Sequence, residues 1–167
     1  MEFSDAKQKF IQSWGALGSQ WGINKTMAQI HAFLMISPES VSMEEIMDEL
    51  KISRGNASMN LRALIDWGIV YKDYKQGERR EYFYAEKDLD EMAIKISRER
   101  TKREIKPALK VLKEVSSIPA NKTTKEKHFK QQTTSLYKFV AKADNALEKI
   151  TEYNDNWLGK LLKKLIT

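Results

Sequence analysis

The sequence lacks several of the residues from which catalytic and metal sites are commonly built. It has no cysteine and only two histidines, His31 and His128, in 167 residues. Without cysteine, neither a disulfide framework nor a thiolate metal site can form. The two histidines fall in separate predicted helices. A phosphate-binding loop needs Gly-Lys-Ser/Thr in direct succession, but here two residues separate Gly22 from Lys25-Thr26. We therefore expect no enzyme, no metal site and no cofactor.

Long hydrophobic runs are also missing. No uninterrupted apolar stretch approaches the roughly 18 residues of a membrane span, and the first residues lack the pattern of a secretory signal. The chain is 41% hydrophobic and 31% charged, which is ordinary for a globular protein with one core. These features favour a cytoplasmic protein without a membrane partner.

Positive charge is concentrated in two regions. Residues 1–90 hold 11 Lys and Arg against 14 Asp and Glu, whereas residues 91–167 hold 18 against 9. Within the acidic half, residues 51–80 nevertheless hold seven basic groups against three acidic ones. A basic patch inside an acidic half indicates a polyanionic partner more specifically than overall charge does.

The helix predicted between Ser53 and Gly68 has two different faces. Ala57, Leu61 and Leu64 recur at helical spacing and form an apolar stripe, whereas the opposite face is short, polar and basic. Ser53 is a suitable N-cap, and Gly68 suits the left-handed residue that ends a helix. In a major groove, Arg and Asn can pair with base edges and Ser can reach phosphates; the alternative is an ordinary solvated face. The predicted DNA-binding residues of this helix are Ser53, Arg54, Gly55, Asn56, Ser58, Met59 and Arg62.

Two shorter helices are predicted before this one. Thr26 with Gln29, and Ser42 with Glu45, have the spacing of a capping box, and Pro38 stops the first of the two helices. A helix, a tight connection and a second helix with a basic outer face form a helix-turn-helix. The second helix of that motif enters the major groove.

After Gly68 the pattern changes from helical to alternating. Residues 69–74 and 81–85 are rich in β-branched and aromatic side chains and flank a basic turn, which predicts a hairpin. A hairpin placed directly after a recognition helix is a wing. We expect Lys72 and Lys75 to contact phosphates and Arg79 and Arg80 to reach a minor groove, whose negative potential attracts guanidinium groups. The alternative is a surface hairpin with solubilising charges.

Helices are also predicted at both ends of the chain. The first has an aromatic-rich stripe formed by Phe10, Trp14, Leu17 and Trp21. A basic helix opens after Asp88, and we expect Pro107 to kink it. The last helix has a heptad seam formed by Leu136, Val140, Ala143, Leu147, Ile150, Asn154, Trp157 and Leu161, with one polar position that can fix register. The seam predicts a homodimer, an intramolecular contact with the first helix, or both.

Four segments support a family resemblance: SMEEI (42–46), LKISRGNAS (50–58), LIDWGIV (64–70) and GERREYF (77–83). Through them, residues 20–88 resemble the winged-helix domain of MarR-like bacterial regulators. The resemblance is greater to the branch that includes the choline-sensing repressor of glycine-betaine synthesis. Wings of this type usually contain Asp-x-Arg. Here Glu78 replaces the Asp and Arg80 takes the Arg position, so we expect the charge pairing to be preserved.

The resemblance implies a homodimer with two recognition helices in successive major grooves of a pseudo-palindromic site. It also implies control by a small ligand in many members. A choline-like cation would need an aromatic cage, for which the candidate effector-binding residues are Trp14, Trp21, Tyr71 and Tyr74. The alternative is that these aromatics belong to the core or to the dimer seam.

The predicted fold is mainly α with a small β-hairpin, namely a winged helix-turn-helix domain with long terminal dimerisation helices. We expect an N-terminal dimerisation helix (1–22), the DNA-binding domain (23–88), and C-terminal helices (89–167) for dimerisation and a possible effector region. The predicted function is sequence-specific regulation of transcription through double-stranded DNA, with repression favoured. The alternatives are an architectural DNA binder with little sequence preference and a winged-helix adaptor that binds protein.

Overall fold

The computed structural model describes residues 1–119 and 122–155, with side chains up to residue 149. The helices are α1 (Phe3–Gln20), α2 (Lys25–Ile36), α3 (Met43–Leu50), α4 (Arg54–Asp66), α5 (Leu89–Arg100), α6 (Lys106–Ser116) and α7 (Thr124–Asp155). The strands are β1 (Val41–Ser42), β2 (Val70–Asp73) and β3 (Tyr82–Ala85), and a π-helical turn occupies Thr101–Ile105. The predicted mainly helical fold is confirmed, with a three-stranded sheet in place of a hairpin alone.

Two compact units divide the chain, Met1–Lys95 and Ile96–Thr167. The first contains α1 to α4 and the sheet, and the second contains α6 and α7. The three-part division at residues 22 and 88 stays a prediction. No helix in the part of the chain that the structure describes is long and apolar enough to span a membrane.

Local capping signals set the start of α3 and of α4 as predicted. The Ser42 hydroxyl accepts from the Glu45 backbone N–H at 3.2 Å, and the Glu45 carboxylate accepts from the Ser42 N–H at 2.8 Å, which completes a capping box. The Ser53 hydroxyl accepts from the Asn56 N–H at 3.3 Å. Between the two helices, Lys51 takes a left-handed conformation with φ of 54°, so the turn needs no glycine.

The predicted start of α2 is wrong by two residues. Asn24, rather than Thr26, is the N-cap, and its side chain accepts from the Met27 N–H at 3.1 Å. Asparagine is at least as good an N-cap as threonine, and Asn24 comes first after the turn at Gly22, which has φ of 76°. The helix therefore begins at the earlier of two suitable residues.

Glycines, rather than the aromatic stripe, place α1 against α2. Ile11, Gly15 and Gly18 are the buried residues of α1. A Cβ on Gly18 would lie 2.6 Å from the Cβ of Ala28, a separation that folded proteins do not tolerate. The two helices are therefore closer at this point than any larger side chain would allow.

The predicted aromatic stripe of α1 is largely outside the α1–α2 contact. Leu17 and Trp21 remain 45% and 60% exposed. Phe10 and Trp14 are half-buried with ring centroids 5.7 Å apart, and the Trp14 ring centroid also lies 6.4 Å from that of His31. The close approach at the glycines leaves these rings at the sides of the contact.

The sheet has the order β1-β3-β2, with both pairs antiparallel. Strand β1, which the sequence did not predict, pairs Val41 with Phe83. Strand β2 pairs Val70 with Ala85 in the predicted hairpin. The addition of β1 covers the inner edge of β3 and joins the start of α3 to the wing.

The core of the first unit includes one face of α4. Ala57, Leu61 and Leu64 are 0%, 2% and 1% exposed, and α4 packs on α2, α3 and β2. His31 is 3% exposed within the same core. Burial, with the charge of Lys87, lowers the pKa of His31 to about 4, so that this histidine is neutral at physiological pH. His31 is therefore an uncharged residue of this core.

In the second unit, the irregularity associated with Pro107 lies one turn earlier than the predicted kink. The backbone N–H of Lys106 donates to the Thr101 carbonyl in the π-helical turn, and Pro107 stands in the first turn of α6. Proline has no N–H and fits the start of a helix, so the helical path is interrupted just before it.

The heptad seam of α7 is partly used within the chain. Helix α7 packs on α6, and the Lys106 ammonium lies 2.8 Å from the Asp144 carboxylate. Val140 and Leu147 are half-buried, whereas Leu136 is 50% exposed and Ala143 is exposed. Of the remaining predicted positions, Ile150 and Asn154 lie in α7 beyond the side chains described. Trp157 and Leu161 lie outside the described residues.

The close α1–α2 contact predicts that Gly18→Ala destabilises the fold. The added methyl group would meet the Ala28 Cβ, so we expect a loss of about 1–3 kcal/mol in unfolding free energy and a lower Tm. Chemical denaturation measures it. The matched control is Gly55→Ala, because a Cβ there meets nothing within 4 Å and alanine is the better helix former. Equal stability of the two variants would contradict the proposed packing.

Candidate nucleic-acid interface

Helix α4 presents its predicted reading face to solvent. Because Ala57, Leu61 and Leu64 are buried on one side, the polar residues project from the other side. The Arg54 side chain is 64% exposed and Met59 is 61% exposed. A shallow depression runs along this face, lined by Gly55, Ser58, Met59, Arg62, Ala63 and Asp66. Four of the predicted DNA-binding residues, Gly55, Ser58, Met59 and Arg62, therefore line one accessible surface.

Asn56 is less free than the sequence suggested. Its side-chain oxygen accepts from the Asn60 amide at 2.7 Å, and its backbone carbonyl accepts from the same amide at 2.9 Å. Asn60 is 3% exposed, and its carboxamide is thereby satisfied. A bidentate contact with a base edge needs both the oxygen and the amide nitrogen of Asn56. The Asn56 oxygen has a second lone pair and its amide nitrogen donates in neither bond, so such a contact is made with the side chain in the orientation that Asn60 holds.

Arg54 has a partner that the sequence analysis did not assign. One guanidinium nitrogen lies 2.5 Å from the Glu44 carboxylate, and another lies 3.8 Å from the Met43 sulfur. Glu44 is next to Glu45 in the sequence, but only Glu45 belongs to the capping box. Arg54 and Glu44 are ten residues apart on consecutive helices, so the spacing of residues within one helix does not predict their ion pair.

The wing is a basic hairpin whose turn is closed at Gly77, with φ of 83°. Lys72 forms a 2.5 Å ion pair with Glu81, and the Lys75 ammonium lies 4.2 Å from the centroid of the Tyr82 ring. Arg79 and Arg80 are exposed. The residues predicted to contact phosphates and the minor groove therefore all lie on one accessible hairpin.

The expected pairing of Glu78 with Arg80 is wrong. The Tyr82 hydroxyl donates a short hydrogen bond to the Glu78 carboxylate, and no ion pair among the described residues joins Glu78 to Arg80. The preceding residues form a turn in which the Glu78 N–H donates to the Lys75 carbonyl at 3.1 Å. This turn places the carboxylate over the Tyr82 hydroxyl and leaves the Arg80 guanidinium to solvent.

An open groove separates the start of α3 from the wing. Its lining includes Glu44 and Glu45 on one side and Lys75 and Arg80 on the other. Hydrogen bonds from Ser42 lower the pKa of Glu45, with contributions from the charges of Lys75 and Arg80. The basic surface therefore borders ionised carboxylates of its own unit.

The base of the wing is tied to α5 by three polar side chains. The Tyr71 hydroxyl donates to Glu86 at 2.8 Å, and the Lys95 ammonium donates to Glu86 at 2.7 Å and to the Tyr71 oxygen at 2.6 Å. The Lys95 bond, opposed by partial burial and aided by Tyr71, lowers the pKa of Glu86 to about 2. Although burial opposes its charge, the bonds to Glu86 and Tyr71 raise the pKa of Lys95 to about 12.

The adjacent Lys87 holds the other side of this junction. Its ammonium donates to the backbone carbonyls of Leu34, Met35 and Ser37 at 2.9, 2.8 and 2.6 Å. These carbonyls end α2, where a positive charge is favourable. Glu86 and Lys87 therefore fix the exit of the wing to α5 and to α2, respectively.

The four predicted effector-binding aromatics are dispersed over the first unit. Trp14 contacts Phe10 and His31, Tyr71 contacts Tyr84 at 5.2 Å, and Tyr74 and Trp21 are 74% and 60% exposed. No ring contact among the described residues joins two of the four. Also within the described part of the chain, no cluster of three His, Asp or Glu side chains could hold a metal ion. The cage stays a prediction.

Comparison with known proteins identifies the domain. Residues 24–72, which include the helix pair and the first wing strand, match a family model described as bacterial regulatory protein, arsR family. The HTH-type transcriptional repressor GbsR of Bacillus subtilis (strain 168) is 23% identical over 165 residues, which cover 97% of this chain and 87% of the repressor. This chain is a winged-helix transcriptional regulator.

One solved structure agrees with the fold of this regulator. That transcriptional regulator has a TM-score of 0.58 at 19% identity, over 86% of this chain and 99% of its own, which shows the fold. A MarR transcriptional regulator from Methanosarcina mazei Go1 has a TM-score of 0.37 at 18% identity, over 83% of this chain and 94% of its own. The match to the repressor GbsR over nearly the whole chain confirms the resemblance that the sequence indicated.

The Tyr71–Glu86–Lys95 cluster predicts a pH-dependent contribution to the stability of this regulator. We expect Glu86→Gln to lower the unfolding free energy at pH 7 by roughly 1–2 kcal/mol, because a charged hydrogen-bonded pair is lost. Since the pKa of Glu86 falls from 4.5 to about 2 on folding, its contribution is complete above pH 4.5. The difference between variant and parent should shrink as pH falls from 4.5 towards 2, which denaturant titrations at several pH values measure.

The matched control is Glu81→Gln, which removes the more exposed ion pair with Lys72. Exposed pairs contribute little, so this variant should lie within about 0.5 kcal/mol of the parent. A Glu86→Gln difference that persists unchanged at pH 2 would show that the charge of Glu86 is not what stabilises the junction.

Proposed function

We propose that this regulator is a sequence-specific DNA-binding repressor that reads a pseudo-palindromic operator as a homodimer. The observation that supports it best is the accessible face of α4, on which Arg54, Ser58, Met59 and Arg62 project beside a basic wing. A helix of this kind fits the major groove, which has a distinct pattern of donors and acceptors for each base pair. The identity to a repressor, although 23%, extends over nearly the whole chain and favours repression.

The proposal assigns base-edge contacts and phosphate or minor-groove contacts to two different sets of residues. Arg54, Ser58, Met59 and Arg62 contact base edges, whereas Lys72, Lys75, Arg79 and Arg80 contact phosphates or the minor groove. Ser53 and Gly55 at the start of α4 approach the sugar-phosphate backbone, and Asn56 contacts a base edge from the orientation that Asn60 holds. Phosphate contacts supply affinity and base contacts supply selectivity.

A homodimer follows from the geometry of DNA and from the second unit. Half-sites about one helical turn apart need two linked copies of the reading helix. Several large apolar residues of α6 and α7 remain exposed, namely Val111, Phe129, Leu136 and Phe139, at 56%, 46%, 50% and 71%. A second copy of the chain is the partner that would bury them.

The cytoplasm, where such a regulator meets DNA, is the proposed location. A small effector remains part of the proposal, with Trp14, Trp21, Tyr71 and Tyr74 as its candidate contacts. An architectural DNA binder is the second candidate function. The observation that favours it is the excess of positive charge after residue 90, where 18 basic residues stand against 9 acidic ones.

The division of contacts is testable with Arg62→Ala and Lys72→Ala. A preferred duplex is first obtained by selection from a random pool, and binding to it is compared with binding to an unrelated duplex. We expect Arg62→Ala to weaken binding to the preferred duplex by about 1–3 kcal/mol and to lower selectivity. Lys72→Ala should weaken both complexes alike and reduce the salt slope by about one.

Lys9→Ala is the control, because it removes an exposed positive charge from α1. If Arg62→Ala weakened both complexes equally, as Lys72→Ala does, base reading by α4 would be refuted and the architectural function favoured. If selection with the parent yielded no bound duplex, the protein-binding alternative would replace both.

The dimer is testable with Leu136→Glu. A carboxylate in a buried dimer contact is unfavourable, so we expect a shift towards monomer in analytical ultracentrifugation and weaker operator binding. Asn145→Glu introduces the same charge on the opposite, exposed side of α7 and should remain dimeric. An unchanged association constant for Leu136→Glu would contradict a dimer built on this face.

A further inference from the structure

Arg54 is held in place although it lies on the surface. It is the first residue of α4, and its guanidinium is 2.5 Å from one oxygen of Glu44 and 3.8 Å from the Met43 sulfur. The Arg54 side chain nevertheless remains 64% exposed. One edge of the planar group is therefore fixed to α3, while other N–H donors are available to an incoming acceptor.

The group that holds Arg54 is itself anchored. Glu44 is the second residue of α3, two residues after the Ser42 cap, and its carboxylate lies in the first turn, where the helix dipole favours negative charge. Its own backbone N–H, then the Arg54 hydrogen bond, lower the pKa of Glu44, so that the carboxylate is ionised at neutral pH. Met43, the other contact, is 9% exposed and belongs to the core. Arg54 is thus connected to rigid parts of α3.

This arrangement adds little to the stability of the fold. The two side chains are 64% and 44% exposed, and ion pairs of this exposure contribute little. It has a larger consequence for recognition. A free arginine loses rotamer entropy when it is ordered in a complex, and an arginine that is already held loses less.

We propose that Glu44 is a positioning residue for base reading, holding the Arg54 guanidinium in the orientation in which it meets a base edge. The inference rests on the proposed function, since it assigns the selectivity of the same DNA-binding face. Glu44 does not contact the base in this arrangement. It acts through Arg54, as supporting residues do at preorganised sites.

The opposite role makes the opposite prediction. The Glu44 carboxylate could instead compete with DNA for Arg54 and repel the DNA phosphates, and its removal would then strengthen binding to DNA. The positioning role predicts that Glu44→Ala lowers the ratio of preferred to unrelated binding by about tenfold, while binding to unrelated DNA stays equal or rises slightly. Glu44→Gln keeps an oxygen acceptor without the charge and should restore part of the ratio.

Two controls separate positioning from charge and from folding. Glu39→Ala removes an exposed carboxylate that, like Glu44, lines the groove between α3 and the wing. Glu39 has no contact with Arg54, so this variant should leave the ratio of preferred to unrelated binding unchanged. In an Arg54→Ala background, Glu44→Ala should change the ratio no further, because a positioning residue has nothing left to position. Thermal unfolding of each variant confirms that the fold is intact.

The outcomes are distinct. A parent protein that discriminates between duplexes, with a ratio that is unchanged or increased in Glu44→Ala, overturns the positioning role alone. An equal effect of Glu44→Ala in the presence and absence of Arg54 also overturns it. A parent protein with no sequence preference overturns the proposed function, and the positioning role with it.

Discussion

The burial of one face of α4 is the constraint on which the proposed DNA-binding surface depends. Ala57 and Leu64 have almost no exposure, and the helix contacts α2, α3 and the first wing strand. Because a helix cannot rotate without exposing these side chains, its opposite face has one orientation. That orientation places Arg54 and Arg62 beside the wing. The hydrophobic core thus fixes the direction of polar side chains that contribute little to it.

Charge on this surface is balanced locally rather than left free. Arg54 pairs with Glu44, Lys72 pairs with Glu81, and the groove beside the wing contains carboxylates as well as cations. In the proposed complex, Lys72 exchanges Glu81 for a phosphate, whereas Arg54 keeps Glu44 and uses its other N–H donors. We therefore expect association with DNA to be weaker and more selective than a count of positive charges suggests.

Features determined by local interactions were predictable from the sequence. The caps at Ser42 and Ser53 and the left-handed residue Gly68 depend on a few neighbouring residues, and each was predicted correctly. Features determined by tertiary contacts were not. No pattern in the sequence marks Gly18, yet it permits the close approach of α2, and the pairing of Glu44 with Arg54 joins two helices without a periodic signal.

Short or shared elements were also beyond sequence reasoning. Strand β1 has two residues, too few for an alternating pattern, and one of them is also the cap of α3. The seam of α7 was predicted as one continuous surface, but Val140 and Leu147 are partly covered in the second unit, where α6 packs on α7. A heptad pattern indicates that a helix has partners and does not say how many.

The most direct test of the account is the ratio of binding constants of the parent protein for its preferred duplex and for an unrelated duplex of equal length, at two salt concentrations. If α4 reads bases, the preference should be about 10³ or more and should persist at the higher salt concentration. Equal affinities that fall together steeply with salt would contradict the account, because they would show that the protein binds phosphates without reading the sequence.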